Sequence, residues 1–235
     1  MSTKNNFVHL LSQLEQDGYA VVQGVLGREQ IATLSDLIQP LLILNSPAGV
    51  RNLAHLLPAV RLLAESNRVR ALIEPILGKD AKLVRSVLFN KDQDTNWHVV
   101  WHQDLAIAVQ CQKEVPGFTS WSIKAGITHV QPPIAILEKM ITVRLHLDAA
   151  DESNGGLWVS PGSHRLGRIP AGESAAVAAR QGKILCSAEP GDALLLRPLL
   201  LHASRKAVLD NPRRVIHLEF AGVALPYPLA WHDAA

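Results

Sequence analysis

Hydrophobic positions change their period about a third of the way along this chain. Up to residue 77 they recur every three or four positions. Phe7, Leu10, Leu11 and Leu14 form one such stripe, which stops at Asp17-Gly18. That spacing lines up one face of an α-helix, and glycine is common just past a helix end. Arg28 to Leu44 repeats the pattern through Ile31, Leu34, Leu37 and Ile38, with Pro40 expected to break or kink it. A third helical stretch is predicted from Pro58 to Leu77, closed by Gly78. Between the first two lies a short apolar run, Tyr19 to Val25, with the β-branched content of a strand.

Past Gly78 the spacing shortens. Apolar runs of a few residues alternate with Gly, Pro, Asn and Asp. Strands are predicted at Lys82–Phe89, Val99–Ile107, Met140–Leu147, Gly156–Val159, Lys183–Cys186, Ala193–Leu196, Leu200–Ser204 and Arg214–Ala221. Asn154-Gly155-Gly156, Pro161-Gly162-Ser163 and Glu189-Pro190-Gly191-Asp192 read as turns. This rhythm suits a β-sandwich or barrel rather than alternating strand and helix. The expected class is mainly β with flanking helices. Gln110–Pro133, with Pro116-Gly117, Gly126 and Pro132-Pro133, reads as a long loop and a candidate lid.

Composition adds limits. With 235 residues, 48% hydrophobic, the chain is expected to form one domain over residues 1–235. No run reaches the roughly 18 apolar residues of a membrane span, and Met1 to Asn6 is polar, without a signal-peptide pattern. A net charge of +2 with scattered basic residues gives no footprint for nucleic acid or a membrane surface. Cys111 and Cys186 stand apart, outside any CxxC pair, which fits thiols in a reducing cytoplasm. The expected location is cytoplasmic. Nothing in the composition speaks to oligomeric state.

Chemistry concentrates in two segments. Trp101-His102-Gln103-Asp104 contains an HxD step, and in a strand residues i and i+2 share a face. His202 lies a hundred residues on, and Arg213 follows it by eleven. Two His and one carboxylate can cap one face of an octahedral ion, the usual set of non-haem Fe(II) oxygenases. An Arg beyond the second His is what a dicarboxylate co-substrate needs. Each part also has an ordinary reading, since His102 and His202 can be core histidines and Asp104 a turn residue. The chain holds ten His. His9, His55, His98, His129, His146, His164, His217 and His232 join no comparable arrangement, although His146 and His217 lie in predicted strands.

The chain resembles the phytanoyl-CoA dioxygenase family of Fe(II)- and 2-oxoglutarate-dependent oxygenases. The likeness rests on five ordered motifs: LEQDGYAVVQGVL at 14–26, WHQD at 101–104, DESNGGLWVSPGSH at 151–164, PGDALLLRPLLLHAS at 190–204 and RRVIHLEF at 213–220. It implies a double-stranded β-helix, a jelly-roll or cupin-like barrel, with N-terminal helices packed on one side. It matches His102, Asp104 and His202 to the iron ligands. Arg213 matches the residue that pairs with the distal carboxylate of 2-oxoglutarate, and Ser204 a hydroxyl beside it. A guanidinium fork suits that task. Alternation turns neighbouring Arg214 to the opposite face. Arg144 stands where relatives can carry an aromatic residue. It is expected to bind 2-oxoglutarate or a substrate anion, or else to point outward.

The resemblance further implies the cofactor set of Fe(II), 2-oxoglutarate as co-substrate and O2. Oxidative decarboxylation to succinate and CO2 would drive hydroxylation of an unactivated C–H bond. Related halogenases lack the carboxylate ligand, so Asp104 points to hydroxylation or another oxidation. The sparse basic residues suggest a small-molecule substrate rather than a coenzyme A thioester. Trp97, His98, Trp121, Lys124, His129 and Arg51-Asn52 are candidates to face it. Two alternatives remain: a catalytically silent binding module, and a cupin-like metalloprotein that does not use 2-oxoglutarate. Arg213 discriminates, because only the dicarboxylate needs it.

Overall fold

The structure, a computed structural model, describes residues 3–44, 49–92, 95–209 and 211–233, with the backbone alone for 3–7. Phe7 of the first stripe therefore lies outside the described side chains. In chain order the elements are α1 Thr3–Gln16, β1 Tyr19–Val22, α2 Arg28–Leu44, β2 Gly49–Arg51, α3 Leu53–Leu56, α4 Pro58–Glu65 and α5 Asn67–Leu77. There follow β3 Lys82–Lys91, β4 Val99–His102, β5 Ile107–Val109, β6 Thr119–Lys124, β7 Ile127–Gln131, α6 Ile134–Leu137 and β8 Met140–His146. The chain continues through β9 Leu157–Val159, α7 Ser174–Gln181, β10 Ile184–Cys186, β11 Ala193–Leu196, β12 His202–Ser204 and β13 Arg213–Ala221.

The strands form antiparallel sheets. A six-stranded sheet runs β1-β11-β8-β13-β3-β2, and a four-stranded sheet runs β10-β9-β12-β4. Together they make the expected jelly-roll. Alternation gives the larger sheet two chemically distinct faces. Ile141, Val143 and Leu145 of β8 and Ile216, Leu218 and Phe220 of β13 join Leu34, Ile38, Val60, Val69 and Ile73 of the helices in one buried cluster. Burying side chains of this kind contributes about 1.5–3 kcal/mol each, which holds the N-terminal helices on that face. The other face looks into the barrel, and several of its positions are polar. At one edge of that face, Tyr19, Leu194 and Leu196 pack against Leu157, Val159 and Cys186 of the four-stranded sheet.

Several boundaries differ from expectation for local reasons. The helix at 28–44 runs on through Pro40. The hydrogen bond that Pro40 cannot donate would have gone to the Asp36 carbonyl. Both residues are exposed, so water can satisfy that carbonyl. The stretch from Pro58 to Leu77 is two helices. Ser66 is extended, at φ −63° and ψ 149°, and its Oγ accepts from the Val69 N–H as an N-cap. The strand predicted over Val99–Ile107 breaks after His102 into β4 and β5. The long loop expected at 110–133 is largely ordered: β6 and β7 pair with each other and β7 with β5 in a three-stranded sheet. Trp121 packs against a second core cluster, with Phe118 and Val130 among its members.

Candidate metal centre and anion pocket

β12 lies between β9 and β4, and its register sets His202 directly opposite His102. The two rings stand 4.2 Å apart between centroids. Asp104 lies just past the end of β4, in the gap before β5. There its backbone N–H donates to the Pro198 carbonyl at 2.9 Å. Gln103, turned away from the His pair, fixes this gap. Its amide donates to Gly167 and Leu199 carbonyls at 2.8 and 2.6 Å and accepts from the Ile169 N–H at 2.8 Å. So His102 and Asp104 do share a face, but Gln103 and a backbone contact arrange it rather than a continuous strand.

The donor atoms converge. His102 Nε2 lies 3.9 Å from Asp104 Oδ1, and His202 Nε2 lies 3.6 Å from Asp104 Oδ2. One ligand atom from each of the three residues lies within 4.8 Å of the others. The tautomers suit coordination. His102 Nδ1 is 2.8 Å from the Val100 carbonyl and His202 Nδ1 2.9 Å from that of Leu200. A carbonyl can only accept, so each Nδ1 carries the proton and each Nε2 has a free lone pair. Burial lowers the His202 imidazole to about 4, which keeps it neutral at ordinary pH. Burial alone would raise the Asp104 carboxyl. The neighbouring His202, His217, His102 and Arg85 outweigh it and hold Asp104 well below the usual carboxylate range.

The loop preceding β12 is braced from behind. Ser163, in the Pro-Gly-Ser-His turn, accepts from the Leu201 N–H at 2.9 Å and donates to the Ser160 carbonyl at 2.7 Å. His164 of the same turn sits against Gly18 and reaches the Glu15 carbonyl at 3.1 Å. This motif therefore ties the His202 region to the N-terminal helix.

Behind the donor cluster lies a cavity of about 140 Å³, lined by His102, Asp104 and His202 and by Phe89, Arg144, Ser204, Arg213 and His217. Arg213 faces inward and is 3% exposed. Its Nε and Nη1 are buried and have no hydrogen-bond partner. Arg214, the next residue, takes the other face, where its side chain forms a two-pronged pair with Asp148 at 2.8 and 2.9 Å. Replacing Arg214 with Ala should cost about 1–2 kcal/mol in a denaturant melt. It should leave the cavity intact.

Arg144 also lines the pocket, and Lys91 stands behind it against Ser204. Arg144 points inward, which removes the outward alternative. It donates to His217 Nδ1 at 3.1 Å, while its Nε has no partner. His217 passes the contact on to Glu219 at 3.0 Å, and Glu219 also accepts from Arg85 at 2.6 Å. Lys91, opposite Arg213 in the β3–β13 register, is 1% exposed. Its ammonium donates to Ser204 Oγ at 2.9 Å and to the Arg205 carbonyl at 2.7 Å. Burial, then the nearby cations, lower Lys91 to about 8 and Arg213 to about 9; burial lowers Arg144 to about 10. Arg213 and Arg144 line one small cavity and carry buried, unpartnered guanidinium nitrogens, with Lys91 held behind Ser204, an arrangement suited to an anion. The expected Lys82–Phe89 strand stopped two residues short of Lys91, which continues the inward alternation of Val87 and Phe89.

Other candidates fall elsewhere. His146 is buried with both ring nitrogens unpartnered and is held at about 3 by burial and the adjacent arginines. His129 is buried in β7, and Lys124 is exposed at the end of β6. Trp97, Arg51 and Asn52 line a second cavity beside the first. His98 is exposed, outside both cavities.

The family model for phytanoyl-CoA dioxygenase (PhyH) matches residues 14–215. This chain belongs to the phytanoyl-CoA dioxygenase family. Solved structures agree on the fold. EctD from S. alaskensis, crystallised with 2-oxoglutarate and 5-hydroxyectoine, is 19% identical, with 94% of this chain and 76% of that one covered and a TM-score of 0.71. SnoN, a non-heme alpha ketoglutarate dependent epimerase from nogalamycin biosynthesis, is 18% identical over 92% of this chain and 83% of its own, with a TM-score of 0.70. HygX from Streptomyces hygroscopicus, with nickel and 2-oxoglutarate bound, is 14% identical over 91% and 85%, with a TM-score of 0.66. Among the described residues, no helix of this family member is long and apolar enough to cross a membrane.

Proposed function

We propose that this phytanoyl-CoA dioxygenase family member is an Fe(II)- and 2-oxoglutarate-dependent oxygenase that hydroxylates an unactivated C–H bond of a small metabolite. Substrate R–H, O2 and 2-oxoglutarate would give R–OH, succinate and CO2. One oxygen atom enters the hydroxyl and the other enters succinate. Arg213 carries the reading, because its buried, unpartnered donors lie in the same cavity as a His-Asp-His cluster. An anion that also reaches a metal at that cluster satisfies both features.

The donor set fits iron. Two neutral imidazoles and one carboxylate suit Fe(II) and leave other coordination positions for exchangeable ligands. Iron held by His102, Asp104 and His202 supplies the activation of O2. The chain's own residues position and neutralise. The Nδ1–H bonds to Val100 and Leu200 aim both Nε2 atoms at the ion. Arg213 takes the distal carboxylate of 2-oxoglutarate, with Lys91 beside Ser204 and Arg144 on the flank; Ser204 joins it by turning its hydroxyl from the Gly155 carbonyl, which accepts from it at 2.7 Å. Their charge keeps the dianion in a space shielded from water, where electrostatic contacts are strong.

The test is anaerobic addition of Fe(II) and 2-oxoglutarate, watched for the weak visible charge-transfer band of the chelate. Absence of the band, with metal bound, would leave a metalloprotein that does not use 2-oxoglutarate. A further expectation concerns Gly155. A Cβ there would lie 2.6 Å from the Arg205 carbonyl and 2.9 Å from Lys91 Nζ, at a φ of +75°. Gly155→Ala should therefore push Lys91 off Ser204. Titration of the same absorption band should show weaker 2-oxoglutarate binding, accompanied by a stability loss of about 1 kcal/mol or more.

A further inference from the structure

We infer that the outer cavity takes a substrate with a carboxylate on an apolar body, and that Arg51 recognises the carboxylate. This rests on the oxygenase reading above and names the substrate class for it. The cavity measures about 610 Å³ and meets the metal pocket along Phe89 and Trp97, which line both. Leu56, Val87 and Ile127 contribute apolar surface to it. Arg51 is the one charged residue among its described lining residues.

Arg51 reaches that space because of strand register. It lies opposite Val87 on the inward face of β3, while its neighbour Val50 pairs with Leu88 and joins the helix-side core. β2 can approach so closely because residue 49 is glycine, where a Cβ would meet the Leu88 carbonyl at 2.2 Å. The carboxylate whose charge acts on it is Glu219, and that group is already engaged by Arg85 and His217. Among the described residues the Arg51 guanidinium has no hydrogen bond or ion pair, and it is half-buried beside the like charge of Arg85. A planar fork with unfilled donors, in a mostly apolar cavity, matches a carboxylate in shape and charge. A molecule held there by its carboxylate would run its apolar body past Phe89 and Trp97 toward Asp104.

Isothermal titration with matched probes tests the assignment. The protein is loaded with Zn(II), which is redox-silent, and with saturating 2-oxoglutarate. Hexanoate, 3-phenylpropanoate and their primary amides are then titrated in. Each carboxylate should bind about 10- to 100-fold more tightly than its amide, the range of one charge-assisted contact. R51L should erase the preference, and R51K should restore part of it, with melting temperatures confirming that both fold. Equal binding of acid and amide, no binding of any probe at millimolar concentration, or an R51L protein that keeps the preference would each overturn the inference. Repeating the titrations without Zn(II) and 2-oxoglutarate separates the two claims. A preference abolished by R213L rather than R51L places the anion in the inner pocket and overturns this inference alone. An Arg51-dependent preference in a protein that binds no 2-oxoglutarate overturns the oxygenase reading alone.

Discussion

Replacing His202 with Ala should abolish turnover and lower metal affinity by well over 100-fold. Loss of a residue that merely orients a ligand commonly costs about 10–100-fold, and His202 supplies the ligand atom itself. It also faces His102 across β12–β4 at 4.2 Å between ring centroids, so its removal opens the cluster on its buried side. The fold should survive. β12 keeps its backbone pairing with β9, and the preceding loop keeps the Leu201 bond to Ser163. Mn(II) binding followed by electron paramagnetic resonance, alongside succinate release, reads both effects. Full activity or wild-type metal affinity in His202→Ala would remove this residue from the metal centre.

Replacing Arg213 with Ala should raise the 2-oxoglutarate requirement by an amount equivalent to about 2–5 kcal/mol, the loss typical of truncating one partner of a buried charge pair. Metal affinity should change far less, because Arg213 is not among the three converging ligand residues. A second readout points the other way. In the protein without 2-oxoglutarate, Arg213 is a buried cation with two unpartnered nitrogens, set beside Lys91 and near Arg144. Removing an unpaired buried charge relieves desolvation and repulsion. The ligand-free variant should therefore melt no lower than the parent, and addition of 2-oxoglutarate should raise its melting temperature much less. Arg214→Ala is the control. It should lose stability through Asp148 and keep its 2-oxoglutarate response. The reverse pattern between the two arginines would contradict the β13 register.

Much of this was open to reading in one dimension. α2 has the predicted limits of Arg28 and Leu44, and β11 those of Ala193 and Leu196. Their signals are local periodicity and flanking turn residues, and those do not depend on distant partners. The chemical types of the metal cluster were legible too, since an HxD step and a late His before an Arg are strings of residues. Arg213 and Arg214 were separable because alternation along a strand is a local rule. Lys91 escaped because a lysine at the end of an apolar run looks like the solvated edge of a strand. Only the fold places it opposite Arg213, under Ser204 and Trp97, at the back of the small cavity.

Residue pattern therefore located elements such as α2 and β11, separated Arg213 from Arg214 and singled out His102, Asp104 and His202, which the fold brings together. Tertiary structure decided what those residues meet. It set His202 opposite His102, broke the strand at Gln103 to aim Asp104, and turned a predicted loop at 110–133 into a paired hairpin. It also left Arg51 and Arg144 as half-buried and buried cations lining two adjoining cavities, with Lys91 buried behind Ser204. The physical reason is range. Periodicity and turn chemistry act over a few residues, whereas pairing register, burial and the absence of a counter-charge depend on segments a hundred residues away.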